Sequence, residues 1–407
     1  MQEICQVKVQ PTQSSNLESN GVKLGQRSSF HWSLEPMTKW MCLMGVPISM
    51  NRSSCQLSCC RFNRIFCFLV VLFIHSSQII HMLLNAKSIA NSYITGTSST
   101  ALSWNFIIES AIIAVYAIGG HISLLLVTRS ETWMDLVHSF KFLEKNLTSS
   151  DIYPACRKLA IKTIIYVISS VLCIDLLLGI DMIWNESTLM RRILDLSSFF
   201  SKIYPMTALG LFCILAGLIS LHLEVIRKRI DDQLNQCKHG ENFSLVIKEQ
   251  RSQLKLLRRH HRLICNLVGK LNCCFGFFLL VEVAFIFVTS VNCFMYLFSS
   301  ATRSDKIMGL LYSVICLDSL VHLFLISSFS DDIVNQTKKI QEALVELLHD
   351  QPSLQNEVIL FTDQLLLLKT HVNAVGFFNV SKHLFPSLIG TTLTYFFILL
   401  QFHSAEN

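Results

Sequence analysis

The chain has 407 residues, of which 51% are hydrophobic and only 15% charged, with mean hydropathy +0.47; a soluble domain carries about 25% charged residues, so this composition demands a lipid solvent. The formal net charge of +6 does not indicate nucleic acid, because Lys and Arg fall between apolar runs and not on one basic, aromatic-rich face. The 15 cysteines lie mostly within apolar runs or in segments assigned below to the reducing cytosol, so no disulfide framework is expected.

In chain order, residues 1–64 are polar and Ser-rich, with no short apolar core before a cleavage site, and read as a retained N-terminal segment. Seven apolar runs then reach the roughly 20 residues a helix needs to cross a bilayer: Ile65 to Leu84, Phe106 to Leu126, Ile164 to Ile183, Ile203 to Leu223, Phe275 to Leu297, Met308 to Ser328 and Leu384 to Phe402. The fold class is therefore an all-α integral membrane protein with seven transmembrane helices. Of the 34 Lys and Arg residues, 28 fall in the N-terminal segment and the second, fourth and sixth connections, against 6 in the other connections and none after Phe402. Basic residues are retained on the cytosolic side during insertion, which sets the N-terminus in the cytosol and, with an odd number of spans, Asn407 outside. Asn185-Glu186-Ser187, a glycosylation acceptor, then falls on an outer connection; similar triplets at Asn51, Asn146, Asn242, Asn335 and Asn379 fall inside.

The chain divides accordingly into a cytosolic segment 1–64, spans one to four at 65–223, a basic cytosolic connection 224–274, spans five and six at 275–328, an acidic cytosolic connection 329–383, the last span 384–402 and an extracellular tail 403–407. Both long connections read as helical. In the first, Val225, Ile226, Ile230, Leu234, Leu254, Leu257, Ile264 and Leu267 recur at helical spacing, extending span four and leading into span five. Its run Arg258, Arg259, His260, His261, Arg262 has the composition of a calmodulin or anionic-lipid site, although a solvated helical face has it too. In the second, Val334, Ile340, Leu344, Leu347 and Leu348 make one stripe and Leu360 with Leu365 to Leu368 another, broken at Gln351-Pro352. The acids Asp331, Asp332, Glu342, Glu346, Asp350, Glu357 and Asp363 make it the electrostatic complement of the basic connection. The two are expected to pair into an intracellular layer that anchors the last span.

Ionisable groups in hydrocarbon are costly unless paired or facing water, which makes each a candidate site residue. Glu109 and Asp181 fall in the outer parts of spans two and three, Asp175 and Asp318 near mid-depth, and Glu282 in the inner part of span five. Tyr204, Thr207, Ser290 and Asn292 join the first four as candidates for a mostly apolar ligand pocket with a few polar atoms, as do Trp104 and Trp184, which equally suit interface anchoring. His75, His81, His121 and His322 have no metal-like spacing, and Cys59-Cys60 and Cys273-Cys274 lack a second pair, so no metal or cofactor is expected. Cys55, Cys59 and Cys60 flank the first span as lipidation candidates. No nucleophile, base and acid cluster marks an enzyme.

The last span ends Thr394-Tyr395-Phe396-Phe397-Ile398-Leu399-Leu400-Gln401-Phe402: Thr-Tyr, five apolar residues, Gln-Phe. With seven spans, inverted orientation and short outer loops, this resembles the C-terminal signature of the insect gustatory receptors. The resemblance implies a homotetramer, or a heteromer with related receptors, in the plasma membrane of chemosensory neurons. It implies that the last helix lines a cation pathway and that a small-molecule tastant binds among spans one to four. Thr391, Thr394, Tyr395, Ile398, Gln401 and Phe402 share one helical face suited to a pore wall, with Ile398 and Phe402 able to close it by dewetting. Sugar receptors of this family look acidic just after the motif's Tyr, whereas this chain has Phe396, which leans toward bitter or other non-sugar tastants. An odorant receptor of the same superfamily is the alternative. A G-protein-coupled receptor would carry the opposite orientation and an Asn-Pro in its last span, and this chain has no Asn-Pro.

Overall fold

The computed structural model describes residues 30–44, 46, 69, 72, 76, 79–80, 83, 100–128, 130–146, 152–184, 202–237, 243–303 and 306–406. Nine helices are labelled here: α1 (Phe30–Leu43), α2 (Thr100–Thr128), α3 (Ser130–Asn146), α4 (Ile152–Trp184), α5 (Ile203–Cys237), α6 (Phe243–Arg303), α7 (Lys306–Asp350), α8 (Gln355–Leu367) and α9 (Leu384–Glu406). Among the described residues there is no strand, only an isolated bridge between Asn373 and Asn379. The first apolar run and Asn185 lie almost wholly or wholly outside these residues.

Where the fourth, fifth and sixth apolar runs meet the fourth and sixth connections, helix continues straight through the junction. At about 1.5 Å per residue, the 61 residues of α6 extend about 90 Å, three times the roughly 30 Å hydrocarbon thickness. Its polar first half must therefore stand outside the membrane, as must the last part of the 45-residue α7. Helix α7 stops at Asp350, where Pro352 opens a short 3-10 turn, Pro352–Leu354, before α8.

Helix α5 is the axle of the bundle, packing against α2, α4, α6 and α7. Among the described residues 78% of its most apolar stretch is buried, against 6% for α9, which packs mainly on α6 and α7. Close approach is made by small residues, since lipid offers helices no hydrophobic reason to associate. A Cβ on Gly120 of α2 would stand 2.5 Å from Pro205 Cα and 2.6 Å from Pro205 N. Those are backbone atoms, so α2 and α5 meet at this height only because position 120 has no side chain.

Outside the apolar layer, the fourth-connection stripe packs as expected: Ile226, Ile230, Leu254, Leu257, Ile264 and Leu267 are all buried. The sixth-connection stripe is buried at Ile340, Leu344 and Leu347, but α8 differs from expectation. Leu360, Leu366 and Leu367 are exposed, and the inward face is Leu354, Val358, Phe361 and Leu365. Four consecutive leucines cannot share one side of a helix turning about 100° per residue; the 3.6-residue period selects one of them.

Charge pairing across these connections is present within one chain, where Glu357 of α8 lies 3.4 Å from Lys255 and 4.0 Å from Arg258 of α6. Gln364 Nε2 donates to the Arg258 carbonyl at 2.9 Å and lies 3.1 Å from His261 Nδ1. His260 and His261 are fully buried, so Arg258 to Arg262 is not a free basic face for calmodulin or lipid.

The loop before α9 is pinned to α6 by one side chain. Asn272 Nδ2 donates to the His371 carbonyl at 2.9 Å, and its Oδ1 accepts from the Asn373 N–H at 3.1 Å. The chain then turns through positive φ at Val375 and Gly376. Lys382 lies within 3.6 Å of Asp331 and 3.8 Å of Asp332, tying the base of α9 to α7.

Two outcomes are expected. Gly120→Ala forces backbone apart and should abolish detergent-stable, monodisperse receptor, measured by fluorescence-detected size exclusion. Burial, joined at His260 by the nearby Arg229 cation, holds the His260 and His261 imidazoles down to about 4 from the ordinary 6.5. A lowered histidine binds its proton first in the unfolded state, so stability is full above pH 6.5 and is lost as pH falls from there toward 4. Amide hydrogen exchange in α8 and the facing part of α6 should quicken between neutral and mildly acid pH, and His260→Phe should blunt the change.

Candidate functional site

Counting along the helices fixes the depth of the site. Asp331, paired with Lys382, marks one edge of the apolar layer on α7, and Lys270, paired with Asp135 at 3.0 Å, marks the same edge on α6. At about 1.5 Å per residue, Asp318 and Glu282 each lie roughly 20 Å from that edge, near the middle of the layer. The structure brings them together with four other polar side chains.

Glu282 is fully buried. Its Oε1 accepts from the Tyr116 hydroxyl of α2 at 3.2 Å and lies 2.9 Å from His322 Nδ1 of α7. The other imidazole nitrogen, Nε2, faces Asp318 Oδ2 at 3.6 Å. Asp318 Oδ1 accepts from the Tyr166 hydroxyl at 2.7 Å and the Ser170 hydroxyl at 2.8 Å, both from α4. Four helices are thus joined by one chain of polar contacts in the apolar layer. Tyr116 also stacks on Phe285 with ring centroids 4.0 Å apart, which adds shape to the charge.

Beside this network lies a cavity lined by Tyr116, Val171, Lys202, Met206, Phe285, Ile315, Asp318, Ser319 and His322. Its volume is about 20 Å³, room for one water molecule. A larger molecule enters only if the surrounding helices or side chains move.

The candidates read from the sequence separate. Asp318 lines the cavity. Tyr204 and Thr207 do not: Thr207 Oγ1 accepts from Trp40 Nε1 at 3.1 Å and the Tyr204 hydroxyl donates to the Met44 carbonyl at 3.3 Å. Both partners belong to the segment before the first apolar run, so α1 is wedged into the bundle beside α4 and α5. There Arg157 of α4 donates to the Trp32 carbonyl at 2.6 Å with its guanidinium 4.3 Å above the Trp32 ring. Ser290 and Asn292 are buried in α6 away from the cavity lining. The side chains of Glu109, Asp175, Asp181, Trp104 and Trp184 and that of Phe402 lie outside the described residues, as does Asn185. Among the described residues no group of His, Cys, Asp and Glu is arranged to hold a metal.

Glu282, His322, Tyr116, Tyr166 and Ser170 were not singled out together by sequence, where each is one polar residue in an apolar run. The usable signal was the rarity of buried charge in such runs. Which acid meets which histidine is set by four helices far apart in sequence.

On α9, Thr391, Thr394, Tyr395, Ile398 and Gln401 are all exposed. Thr391 and Thr394 hydroxyls donate to the Ser387 and Gly390 carbonyls at 2.9 Å, satisfying themselves within the helix. The opposite face, including buried Thr392, is turned to α6. There Phe294 and Phe396 rings sit 5.7 Å apart, and Phe287 meets the edge of Tyr395 at 5.4 Å.

The chain is an all-helical bundle whose long helices run out into a shared polar layer, with a small cavity beside the buried polar network. The sequence profile described as 7tm Chemosensory receptor matches residues 36–406, and the chain belongs to that family. A Drosophila melanogaster protein named "Putative gustatory receptor 2a" is 28% identical over 227 residues, 45% of this chain and 52% of that relative. The alignment therefore spans about half the length of the relative. Among solved structures, the olfactory receptor OR5 from Machilis hrabei in complex with eugenol superimposes with TM-score 0.67 at 14% identity, covering 90% of this chain and 97% of that one. OR5 without eugenol superimposes with TM-score 0.63 over the same shares. The fold is that of an insect olfactory receptor, a seven-transmembrane protein.

Removing one member of the buried network strands the other. His322→Leu leaves Glu282 in the apolar layer without its imidazole partner, a loss of about 3–5 kcal/mol, and should lower thermal stability sharply. The double variant Glu282→Leu with His322→Leu should recover much of it. Thermal unfolding of the purified receptor measures both.

Proposed function

We propose that this chain is a gustatory receptor that acts as a ligand-gated, non-selective cation channel, with its N-terminus in the cytosol and its C-terminus outside. The observation that carries this reading is the free face of α9. Thr391, Thr394, Ile398 and Gln401 form an exposed row at helical spacing, with Tyr395 at its edge against Phe287, on a helix 6% buried among the described residues. Lipid alone does not call for such a mixed polar and apolar row. A water-filled axis shared by several copies does, with Ile398 and Phe402 closing it and the Gln401 amide offering an uncharged polar ring.

A homotetramer, or a heteromer with related receptors, supplies that axis, at the plasma membrane of chemosensory neurons. The Thr-Tyr-x5-Gln-Phe ending and the gustatory relative favour taste over smell, and Phe396 after the motif's Tyr favours a bitter or other non-sugar tastant. The pocket face of the proposal rests on Asp318 and the cavity around it. Glu109 and Asp181 remain proposed contributors from the outer parts of spans two and three and Asp175 from near mid-depth, and Asn185 a proposed glycosylation site. Ligand gating requires tighter binding to the open than to the closed arrangement, and a cavity now about 20 Å³ in volume has room to differ between the two.

Whole-cell recording from cells expressing this chain, with G-protein signalling blocked and a panel of bitter plant compounds and sugars applied, tests the proposal. The expected outcome is an evoked cation current that survives the block and whose conductance or selectivity changes in Gln401→Ala. A response abolished by the block would refute channel function.

A further inference from the structure

We infer that Trp40, which lies outside the mid-membrane cavity, sets the size of ligand the cavity accepts, by backing the wall best able to yield, the side chain of Met206. Trp40 is thus a positioning residue for ligand selection. This rests on the reading of the cavity as the ligand site and goes beyond it by naming what limits the ligand's length.

A cavity of about 20 Å³ has to widen around anything larger than water, and its walls differ in how they can do so. Tyr116 is stacked on Phe285 and donates to Glu282. Asp318 accepts from Tyr166 and Ser170 of α4, and His322 lies 2.9 Å from Glu282. Lys202 is an electrostatic neighbour of His322 and belongs to the same polar side. Displacing these groups breaks contacts that lipid cannot replace. Val171 and Ile315 are β-branched and stiff about their first side-chain bond. Met206 is different: it lines the cavity from α5 with an unbranched, flexible thioether that adapts to the space it is given.

What stands behind Met206 decides whether it has room to turn. Met206 belongs to a small apolar cluster with Val167, Val171, Ile203 and Leu311, separate from the main core of the bundle. Trp40 and Met44 pack against that cluster from the N-terminal segment. The indole is held in place, since its Nε1–H donates at 3.1 Å to Oγ1 of Thr207, the fully buried residue after Met206. Helix α1, which carries the indole, is held as well. Arg157 donates to the Trp32 carbonyl at 2.6 Å and meets the Glu35 carboxylate at 3.5 Å, and Leu34, Met37 and Met41 are buried. Thr207, a pocket residue by type, therefore acts on the cavity from behind. With the indole shortened, Met206 can turn away and the cavity lengthens toward α1.

The test uses the full-length chain in lipid nanodiscs and the 4-alkylphenols from 4-methylphenol to 4-pentylphenol. Binding is read by calorimetry against empty nanodiscs, so the result stands whether or not the chain conducts. In the wild-type chain affinity should rise to a short member of the series and fall beyond it. Trp40→Ala should move the optimum by about two carbons and bind 4-pentylphenol about tenfold more tightly than wild type, since each methylene buried in an apolar space strengthens binding about fourfold. Thr207→Val removes the indole's acceptor with little change of shape. It should move the optimum the same way by less, and it carries the test if Trp40→Ala does not fold. Leu34→Ala, which cuts the buried stripe of α1 away from Trp40, should leave the optimum in place, because general loosening of α1 weakens every member alike. An optimum unmoved in Trp40→Ala and Thr207→Val, or moved equally by Leu34→Ala, would overturn the inference and leave the cavity reading intact. Binding of no member by the wild-type chain, or affinity that climbs with every carbon and shows no optimum, would overturn the cavity reading and the inference with it.

Discussion

Hydrocarbon satisfies no hydrogen bond, and every feature of this molecule follows from the need to supply partners from within. Backbone groups are satisfied by unbroken helix. Side chains are harder, because a carboxylate at mid-depth has neither water nor backbone donors. Among the described residues the chain meets that need by letting α2, α4, α6 and α7 each contribute to one network through Tyr116, Tyr166 with Ser170, Glu282, and His322 with Asp318. Any of these helices can rotate only by breaking contacts that lipid cannot replace. Such a network specifies the arrangement of helices more than it adds net stability, since the same volume filled with leucine would avoid the desolvation cost.

The second constraint concerns α9, which buries little against its own chain. It is held at its base, where Asn272 grips the preceding loop and Lys382 meets Asp331 and Asp332. Above that base an aromatic seam joins it to α6. A helix fixed at one end and free along one face is poorly suited to a closed monomeric core. It is well suited to a face completed by other copies.

The helical class was legible because length and hydropathy are local properties: α6 and α7 are both long and apolar enough to cross a membrane. The continuation of spans into the polar connections was legible too, from apolar residues at helical spacing such as Ile226, Ile230 and Leu234. The inward face of α8 was misread, because a run of leucines hides its own period. Tyr204 and Thr207 show a different limit. Their side chains look like pocket residues by type, yet they serve Met44 and Trp40 in the N-terminal segment, and no spacing rule announces that a polar leader will fold back into the bundle. Glu282 was discounted for its apparent depth, although depth read from the end of an apolar run says nothing about what stands opposite. His322 stood opposite, and only the packing of α6 on α7 could reveal it.

The two constraints meet on α6. Glu282, at the centre of the polar network, and Phe287, which touches Tyr395, are five residues apart on one helix, about 8 Å along its axis. Helix α7 carries Asp318 and His322 at one height and Asp331, which holds the base of α9, lower down. The contact of His322 on α7 with Glu282 on α6 therefore joins the two helices that support α9. On the channel reading, the coupling needs no long relay. Breaking the contacts of Asp318 with Tyr166 and Ser170 of α4 would free α7 to shift against α4, and the stiffness of long unbroken helices would carry that shift to the aromatic seam and to the salt bridges at the base. The energy available is the difference in ligand affinity between the two arrangements, and a cavity that must widen to admit its ligand is one in which that difference is large.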